Sequence, residues 1–477
     1  MLGKLFNMEQ LKYDVVIVGA GPAGIFTALK LNDKRPDLKV LIVDMGRDIS
    51  SRKCPARKTG VCAHCKPCAI VSGWSGAGAF SDGKLSLSDE VGGHLNEYVG
   101  HDKAMNLIHE ADEYYLRFGA DQTIEGMDDK KIDEIAYNAS RYNIKLVRCP
   151  IRHLGTERAY DVLSGMYDEL MKNKNISFLP MTEAKDILVE NNKVIGVTLK
   201  PFNKEAFTVL SNNIVVAPGR GGAEWLEQTV KKLNIPTSNN EVDIGVRVEV
   251  PNSVMDCVTK AMYEAKMVYY GDTYENKVRT FCMNPGGVVS EEHYENGLAV
   301  VNGHSYGDKS KWTDNTNFAI LVSTKFTEPF NQPIEYGQYV ARLANMLTGG
   351  PIMVQRLGDL LKGRRTTKER LAKSTTVPTL KTAVPGDLSF VLPPRHLTTI
   401  IESLKAFDHL CPGLYSKNTL LYGVEVKFYS TKVKVNNELM TNIDGLYTIG
   451  DGAGVTRGLM QASATGIYVA DTIMKKI

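Results

Sequence analysis

The chain has no apolar run long enough to cross a membrane and no excess of charge of one sign. Nowhere do its 477 residues contain about 18 consecutive apolar residues, the length that a membrane-spanning helix needs. Lys and Arg number 57 against 54 Asp and Glu, a net charge of +3, which is too small to indicate a nucleic-acid or membrane partner. We therefore expect a soluble protein that acts on a small molecule.

Cysteine is scarce, and a recognisable export signal is lacking. Eight Cys in 477 residues are far too few for a disulfide-stabilised secreted scaffold. The N-terminal sequence MLGKLFNMEQLKYD is interrupted by polar and charged side chains, and it lacks the continuous apolar segment and the cleavage site of a secretory signal. We therefore expect a cytoplasmic location.

The clearest pattern is a strand, a glycine-rich turn and a helix near the N-terminus. Residues 15–18, Val-Val-Ile-Val, are typical of a strand buried in a parallel sheet. The turn contributes the three glycines of a dinucleotide fingerprint: Gly19, Gly21 and Gly24. In that fingerprint the first glycine allows the tight turn, the second lets a pyrophosphate approach the backbone, and the third lets helix and strand pack closely. A second apolar strand, residues 40–43, ends in Asp44, which is placed to accept hydrogen bonds from ribose hydroxyl groups.

The C-terminal end favours FAD over NAD as the dinucleotide. Residues 445–449 predict a short strand that runs into Gly450 and Asp451, and a helix is predicted from Gly458 onward. Such a turn can place Asp451 and its neighbouring amides against the ribityl chain and pyrophosphate of a flavin, with the N-terminus of the helix facing the ring. We therefore predict FAD as the cofactor.

The middle of the chain predicts short strands that complete the same domain. Residues 176–217 contain several such segments, and the last runs into a glycine-rich turn at Gly219. A second unit of strand, GxGxxG turn, helix and acid is missing. Reduction by NAD(P)H would therefore need a transient site outside a Rossmann-type fold, or the electrons would come from another donor.

We predict an α/β fold in which a Rossmann-like FAD domain, with a parallel sheet and a β-meander, is built from both chain ends and the middle. A mixed α+β substrate domain is inserted into it. The expected boundaries are 1–235 for the first part of the FAD domain, including a Cys-rich and Gly-rich segment at 54–93, then 236–440 for the inserted domain and 441–477 for the closing part.

Together these segments resemble the three FAD motifs of the two-dinucleotide-binding-domain and p-hydroxybenzoate hydroxylase-like flavoproteins. More narrowly, residues 73–85, 281–287, 302–303 and 423–425 resemble recurring blocks of a family of poorly characterised bacterial FAD-dependent dehydrogenases. The resemblance runs the length of the chain and implies an FAD-dependent oxidoreductase, without indicating its substrate. One departure is Lys427, where related sequences tend to have Arg.

The glycine-rich stretch that begins at Gly73 is a further predicted part of the flavin site. Residues without side chains permit close approach of the backbone to a flat ring, and aromatic and polar side chains accompany the glycines. A flexible loop is the alternative interpretation. The residues that we assign to flavin binding in this stretch are Gly76, Gly78, Ser81 and Asp82.

Half of the cysteines fall in one short segment: Cys54, Cys62, Cys65 and Cys68. Two consecutive two-residue gaps bring three thiolates round one point, as an iron–sulfur cluster requires, and the fourth thiolate would close the set. Such a cluster would pass single electrons from a ferredoxin-like partner to the flavin. A four-cysteine zinc site and thiols without metal, including a CxxC disulfide, are the alternatives. We expect the remaining cysteines to pack as small apolar residues: Cys149, Cys257, Cys282 and Cys411.

Hydride transfer to a C=C or C=O group also needs a proton donor. Three candidates lie near the family-like blocks of the predicted inserted domain: His293, His304 and Glu425. The leading hypothesis is an FAD-dependent oxidoreductase that moves a hydride between the flavin and a small, apolar or cyclic organic substrate. The alternatives are an electron-transfer flavoprotein with an iron–sulfur cluster and an FAD-dependent RNA-modifying or RNA-binding protein. The balanced charge disfavours the last of these, because phosphate contacts need a concentrated basic surface.

Overall fold

The structure is a computed structural model that describes residues 11–55, 63, 65–80, 83–293, 297–306, 309–327, 329–330, 332–427 and 431–477. Three predicted site residues lie outside the described residues: Cys62, Ser81 and Asp82. The chain divides into two compact units. Unit 1 comprises Met1–Gln122, Leu154–Ser238 and Ser430–Ile477, and unit 2 comprises Thr123–His153 and Asn239–Tyr429. Within the described part of the chain, no helix combines the length and the apolar character needed to span a membrane.

Helices and strands are numbered in chain order. The helices are α1 Pro22–Lys34, α2 Leu95–Val99, α3 His101–Arg117, α4 Asp129–Ser140, α5 Thr156–Lys172, α6 Ala223–Lys232, α7 Asn252–Met262, α8 Pro333–Thr348, α9 Leu357–Leu360, α10 Lys368–Leu371, α11 Pro394–Asp408 and α12 Leu459–Met474. The strands are β1 Leu11–Lys12, β2 Val15–Val18, β3 Val40–Val43, β4 Lys84–Ser86, β5 Lys145–Val147, β6 Ile151–His153, β7 Ile176–Leu179, β8 Thr182–Glu190, β9 Lys193–Pro201, β10 Phe207–Leu210, β11 Ile214–Val216, β12 Thr237–Ser238, β13 Val242–Pro251, β14 Lys266–Tyr270, β15 Lys277–Asn284, β16 Val288–His293, β17 Ala299–His304, β18 Asn315–Thr324, β19 Met353–Arg356, β20 Val384–Pro385, β21 Leu420–Lys427, β22 Lys432–Val433 and β23 Leu446–Thr448.

A five-stranded parallel sheet forms the centre of unit 1, in the order β23-β11-β2-β3-β7. Every residue of β2, β3, β11 and β23 is buried, because their runs of β-branched and other apolar residues face helices or loops on both sides of the sheet. The order places a strand from the middle of the chain between strands from the two ends. The predicted α/β fold, assembled from both ends and the middle, is therefore confirmed.

A β-meander accompanies this sheet in unit 1. Strands β8, β9 and β10 pair antiparallel, and β1 adds to β10 in parallel. The turn between β8 and β9 is made by Asn191 and Asn192, which both have positive φ, 48° and 60°. Asparagine tolerates this left-handed conformation, which a two-residue hairpin turn requires. The strands predicted between residues 176 and 217 are thus present as the sequence indicated.

Helices α1 and α12 approach each other so closely at Gly466 that a side chain at this position would not fit. A Cβ atom at Gly466 would lie 2.2 Å from the carbonyl oxygen of Ala23 and 2.9 Å from the amide nitrogen of Thr27. The hydroxyl of Thr27 donates to the same carbonyl oxygen at 2.8 Å, so the contact is filled by backbone and by small side chains. The last helix of the chain is thereby held along the first.

Unit 2 is built on an eight-stranded sheet in the order β20-β19-β21-β13-β18-β15-β14-β5. Its central strands, β13 and β18, are buried along almost their whole length, and α7, α8 and α11 pack on the sheet. Strand β5 pairs with β14, and α4 packs against α7. For this reason Thr123–His153 belongs to unit 2, whereas the sequence analysis assigned that stretch to the 1–235 segment.

The contact between α1 and α12 yields a stability prediction. Gly466→Ala should lower the free energy of unfolding by about 1–3 kcal/mol, because its Cβ overlaps backbone atoms that cannot move aside. The control is Gly165→Ala in α5, where the nearest atom to the added Cβ is Phe118 Cδ1 at an ordinary 3.4 Å. That change should raise the stability by up to about 1 kcal/mol through helix propensity. Urea unfolding of both variants checks the pair, and equal effects would contradict the packing argument.

Candidate cofactor site

The turn between β2 and α1 contains three glycines. At two of them a side chain would overlap neighbouring backbone, and the third borders open space. Gly19 has φ +111°, and a Cβ there would lie 2.0 Å from the carbonyl oxygen of Ala217, at the end of β11. A Cβ at Gly24 would lie 2.0 Å from the carbonyl oxygen of Gly19. By contrast, a Cβ at Gly21 would meet no atom of the described residues within 4 Å. Gly21 therefore borders a space that a ligand can occupy.

The first turn of α1 faces this space with the positive end of the helix dipole. The helix begins at Pro22, and its N-cap residue, Gly21, has no side chain that could cap it. Proline suits this first position because it has no N–H group to leave unpaired. The N–H groups of a first turn have no partners within the helix, so an uncapped N-terminus binds anions, phosphate groups above all.

Asp44, at the end of β3, ties three backbone segments together. Its Oδ2 accepts the N–H of Ala20 at 2.9 Å. Its Oδ1 accepts the N–H groups of Gly46 at 2.8 Å and Gly73 at 2.7 Å. A carboxylate has about four acceptor positions, so one remains after these three bonds for a ribose hydroxyl group. The half-buried Asp44 thus also organises the turn, a role that sequence reasoning missed.

The glycine-rich stretch lies against the same turn. The N–H of Ser75 donates to the carbonyl oxygen of Ala20 at 2.6 Å. A Cβ at Gly76 would lie 3.4 Å from the Cα of Gly21. A Cβ at Gly78 would lie 3.0 Å from Leu459 Cδ2, the first residue of α12. The predicted flavin-binding glycines are thus next to the N-terminal turns of both α1 and α12.

Arg52 is a buried cation beside this turn that sequence reasoning also missed. Its Nε donates to the carbonyl oxygen of Ala69 at 2.9 Å and its Nη2 to that of Ile70 at 2.8 Å. Its Nη1 donates to the carbonyl oxygen of Trp74. Burial lowers the pKa of Arg52 to about 10, and the charge of Asp44 partly opposes that shift. The guanidinium therefore stays protonated at neutral pH and fixes the backbone that leads into the glycine-rich stretch.

The C-terminal turn is fixed by Asp451. Its Oδ1 accepts the hydroxyl of Thr456 at 2.7 Å and the N–H of Gly458 at 3.2 Å. Gly450 precedes it with φ +74°, a conformation that favours glycine. Helix α12 starts directly after Gly458, an N-cap residue without a side chain that could cap it. A second uncapped N-terminus therefore lies next to the predicted flavin-binding glycines.

The turn after β11 packs against the C-terminal turn at Gly450–Gly452, which in turn packs against the first turn of α1. A Cβ at Gly452 would lie 2.4 Å from the carbonyl oxygen of Gly219, and a Cβ at Gly450 would lie 3.2 Å from the Cβ of Ala23. Gly219 itself has φ +60° and open space beside it. The structure thus brings together most of the predicted cofactor-binding residues in unit 1: Gly19, Gly21, Gly24, Asp44, Gly76, Gly78, Gly219, Gly450, Asp451 and Gly458.

The cysteine cluster can be described only in part. Cys54 and Cys68 are half-buried free thiols, Cys65 is an exposed free thiol, and Cys62 lies outside the described residues. Among the residues that the structure describes, no group of three or more His, Cys, Asp or Glu side chains is arranged to hold a metal ion. The four-cysteine metal site stays a prediction.

The two candidate histidines lie at opposite ends of the β16–β17 hairpin. His293 pairs with Ala299 and His304 pairs with Val288, so about five residues of strand, about 17 Å, separate them. Both side chains are exposed, and His293 Nε2 lies 3.1 Å from Glu291 Oε2. Each histidine is open to solvent, but the structure does not bring the two together.

Glu425 lies fully buried in a closed network of charges in unit 2. Its Oε2 and Oε1 accept Nε and Nη2 of Arg247, both at 2.8 Å, and Lys427 Nζ lies 2.8 Å from Oε1. Burial raises the pKa of Glu425, but the charges and hydrogen bonds of Arg247 and Lys427 outweigh burial, so the pKa lies below its ordinary value. The carboxylate is therefore ionised at neutral pH. Lys427, the departure from the family pattern, acts here as a partner of Glu425.

Two families match consecutive parts of the chain. Residues 14–242 match the FAD binding domain family. Residues 241–428 match the family described as FAD-dependent protein, C-terminal domain-like. The first range contains the Gly19–Gly24 turn, Asp44, the glycine-rich stretch and Gly219. The second range covers most of unit 2, including Glu425.

Similar proteins extend over nearly the whole chain. An uncharacterized protein of Clostridium beijerinckii is 27% identical over 497 aligned positions. The alignment covers 98% of this chain and 82% of that protein. Formate oxidase is 11% identical with a TM-score of 0.46, covering 98% of this chain and 99% of the other. L-proline dehydrogenase from P. horikoshii is 14% identical with a TM-score of 0.42, covering 98% and 94%.

The ion pairs of Glu425 predict that this residue has a structural role, which its effect on stability tests. Glu425→Gln should lower the free energy of unfolding by about 3–5 kcal/mol at pH 7, because it leaves the Arg247 charge buried without its partner. The control is Asp133→Asn, which removes an exposed ion pair with Arg148 and should cost at most about 1 kcal/mol.

The pH dependence of stability tests the same network. Because the folded pKa of Glu425 lies below its ordinary value of 4.5, the stabilisation is complete above that pH and is lost as the pH falls through the folded pKa. Urea unfolding between pH 3 and pH 7, about the range in which carboxylates titrate, measures both effects. A Glu425→Gln variant as stable as the Asp133→Asn control would contradict this role.

Proposed function

We propose that this chain, an FAD-dependent oxidoreductase, transfers a hydride between its flavin and a small organic molecule of apolar or cyclic character. The observation that carries the cofactor part of this proposal is the open space beside Gly21. Uncapped N-termini of α1 and α12 lie next to the glycines around that space. The positive ends of two helix dipoles therefore lie beside these glycines, which suits a pyrophosphate.

Each part of the turn has a task in holding FAD. The backbone at Gly21 and the first turn of α1 bind the pyrophosphate, for which a side chain would leave no room. The free acceptor position of Asp44 takes a ribose hydroxyl group. Asp451 fixes the turn before α12 by its bonds to Thr456 and Gly458. These bonds determine the positions of the backbone N–H groups that can bind the cofactor. Bound FAD supplies the acceptance and release of the hydride.

Negative charge that develops during the reaction is stabilised by groups fixed in advance. The uncapped start of α12 offers N–H groups and a positive dipole end. Arg52 acts through its field, because its N–H groups are already bonded to the carbonyl oxygens of Ala69, Ile70 and Trp74. We assign Arg52 as a positioning residue for the glycine-rich stretch.

The proton that accompanies hydride transfer comes from an exposed donor. His293 and His304 are the candidates from unit 2 that solvent reaches. Glu425 is enclosed by Arg247 and Lys427 and holds no proton to donate at neutral pH. We therefore infer that Glu425 supports the sheet of unit 2 and does not supply the proton. NAD(P)H is the proposed transient reductant.

A second candidate function is electron transfer through an iron–sulfur cluster fed by a ferredoxin-like partner. The supporting observation is the position of Cys68, whose carbonyl oxygen accepts the N–H groups of Val71 and Ser72, directly before Gly73 and its bond to Asp44. A cluster held by Cys54, Cys62, Cys65 and Cys68 would thus be joined by a short stretch of chain to the predicted flavin-binding glycines.

The site assignment predicts a defect that is confined to flavin binding. Gly21→Val adds a side chain into space that the protein does not fill, so the apoprotein should keep its melting temperature while FAD affinity falls at least about tenfold, which is about 1.4 kcal/mol. Gly24→Val is the contrasting variant, because its Cβ meets backbone and should destabilise the apoprotein as well. FAD titration and thermal melting measure both. Normal FAD affinity in Gly21→Val would contradict the assignment.

The reaction class predicts how the flavin responds to donors and acceptors. In FAD-loaded protein kept free of oxygen, NADPH should remove the flavin absorption in one two-electron step, and quinones or cyclic enones should restore it. Iron and acid-labile sulfide should then be far below one equivalent per chain. Stoichiometric iron and sulfide, together with reoxidation by one-electron acceptors only, would contradict hydride transfer and establish the electron-transfer function instead.

A further inference from the structure

Two cysteines that are distant in the sequence are in contact in unit 2. Cys257 lies on α7 and Cys411 follows the end of α11, 154 residues later. Their sulfur atoms are 3.0 Å apart. A disulfide bond is about 2.05 Å long, so the sulfurs need to approach by only about 1 Å to form one. No spacing or motif in the sequence predicts that they pair.

The two thiols differ sharply in their access to solvent. Cys257 is exposed, whereas Cys411 is fully buried. Cys411 belongs to the apolar core of the unit, which also contains Phe407 and Leu414. An oxidant dissolved in water therefore reaches Cys257 directly. The buried Cys411 is in contact with the Cys257 sulfur and can react with it once Cys257 is oxidised. An exposed thiol beside a second thiol is the usual arrangement of a reversible redox site.

The hydrogen bond between the thiols makes Cys257 the more reactive of the two. This bond lowers the pKa of Cys257, although burial partly opposes the shift. The same bond and the burial of Cys411 raise the pKa of the Cys411 thiol. The thiolate is the nucleophilic form of cysteine, so the exposed sulfur is also the one that ionises first.

We propose that Cys257 and Cys411 form a reversible oxidation site, at which a peroxide converts the thiol pair into a disulfide within unit 2. The assignment stands on the 3.0 Å contact between the sulfurs and on the exposure of only one of them. It is independent of the flavin and of the cysteine cluster that begins at Cys54.

The oxidation proceeds in two balanced steps. The Cys257 sulfur attacks one oxygen of hydrogen peroxide, the O–O bond breaks, and the leaving hydroxide takes the thiol proton to form water; Cys257 is then a sulfenic acid. The Cys411 sulfur attacks the Cys257 sulfur, an S–S bond forms, the S–O bond breaks, and a second water leaves with the Cys411 proton. Two thiols lose two electrons, and one peroxide gains them. A dithiol reverses the change by thiol–disulfide exchange.

The disulfide would join two elements that pack on the same sheet. Helices α7 and α11 both contact strands β13 and β18. The link between Cys257 and Cys411 closes a long loop, and a cross-link over a long loop restricts the unfolded chain most. Oxidation should therefore stabilise unit 2 against unfolding without moving its sheet.

The test uses the full-length protein, reduced and then treated with a small excess of hydrogen peroxide. After alkylation of remaining thiols and digestion without reductant, mass spectrometry should find the Cys257 and Cys411 peptides linked in most chains. Dithiothreitol should return both as alkylatable thiols. The linked protein should melt at a temperature several degrees higher than the reduced protein, as expected for a long closed loop.

Three variants make the test specific. Cys257→Ser changes an exposed residue, and Cys411 in that variant should stay reduced under the same peroxide treatment. Cys411→Ala should let Cys257 proceed to sulfinic acid, because the resolving thiol is gone. Cys282→Ser, which removes a different half-buried cysteine of unit 2, should leave the linked peptide unchanged.

The proposal is overturned if peroxide drives Cys257 of the unaltered protein to sulfinic acid while Cys411 remains alkylatable. It is also overturned if Cys411 is oxidised equally fast in Cys257→Ser, or if the linked chain melts no higher than the reduced one.

Discussion

Unit 1 depends on the close approach of backbone to backbone at the first turn of α1. The turn lies so near the end of β11 that a Cβ at Gly19 would be 2.0 Å from the carbonyl oxygen of Ala217, and Gly24 is equally tight against Gly19. The parallel sheet explains this closeness, because β11 and β2 are neighbours and their carboxyl ends meet at one edge. Among the described residues at that edge, Gly21 and Gly219 both border open space. Gly21 is the one that directly precedes helix α1, and the proposed pyrophosphate position follows from this combination of open space and a helix N-terminus.

Electrostatics and hydrogen bonds extend this constraint to the surrounding loops. Asp44 binds the amides of Ala20, Gly46 and Gly73, while Arg52 binds the carbonyl oxygens just before Gly73. A half-buried anion therefore binds N–H groups and a buried cation binds carbonyl oxygens, so the backbone is held in one arrangement before any cofactor binds. Preorganisation of this kind reduces the reorganisation that binding would otherwise require.

Local sequence patterns predicted most strands of unit 1. The features that were not predicted depend on contacts between residues that are distant in the sequence. The runs of β-branched residues at 15–18 and 40–43 and the Asn191–Asn192 turn carry their structural signal within a few residues, so the strands were predictable. The assignment of Thr123–His153 to unit 2 depends on the pairing of β5 with β14, and the contact of Cys257 with Cys411 spans 154 residues. Neither leaves a periodic signal in the sequence. Glu425 was noticed, but its pairing with Arg247, 178 residues away, was not predictable.

The central claim is that the pyrophosphate of FAD binds over Gly21 in unit 1. Equilibrium binding of FAD to the apoprotein, followed in competition with ADP, tests it most directly, because ADP carries the adenosine and pyrophosphate parts of FAD without the flavin ring. The account predicts one FAD per chain and full displacement of FAD by ADP. A protein that binds no FAD, or that binds FAD and ADP at the same time, would contradict it.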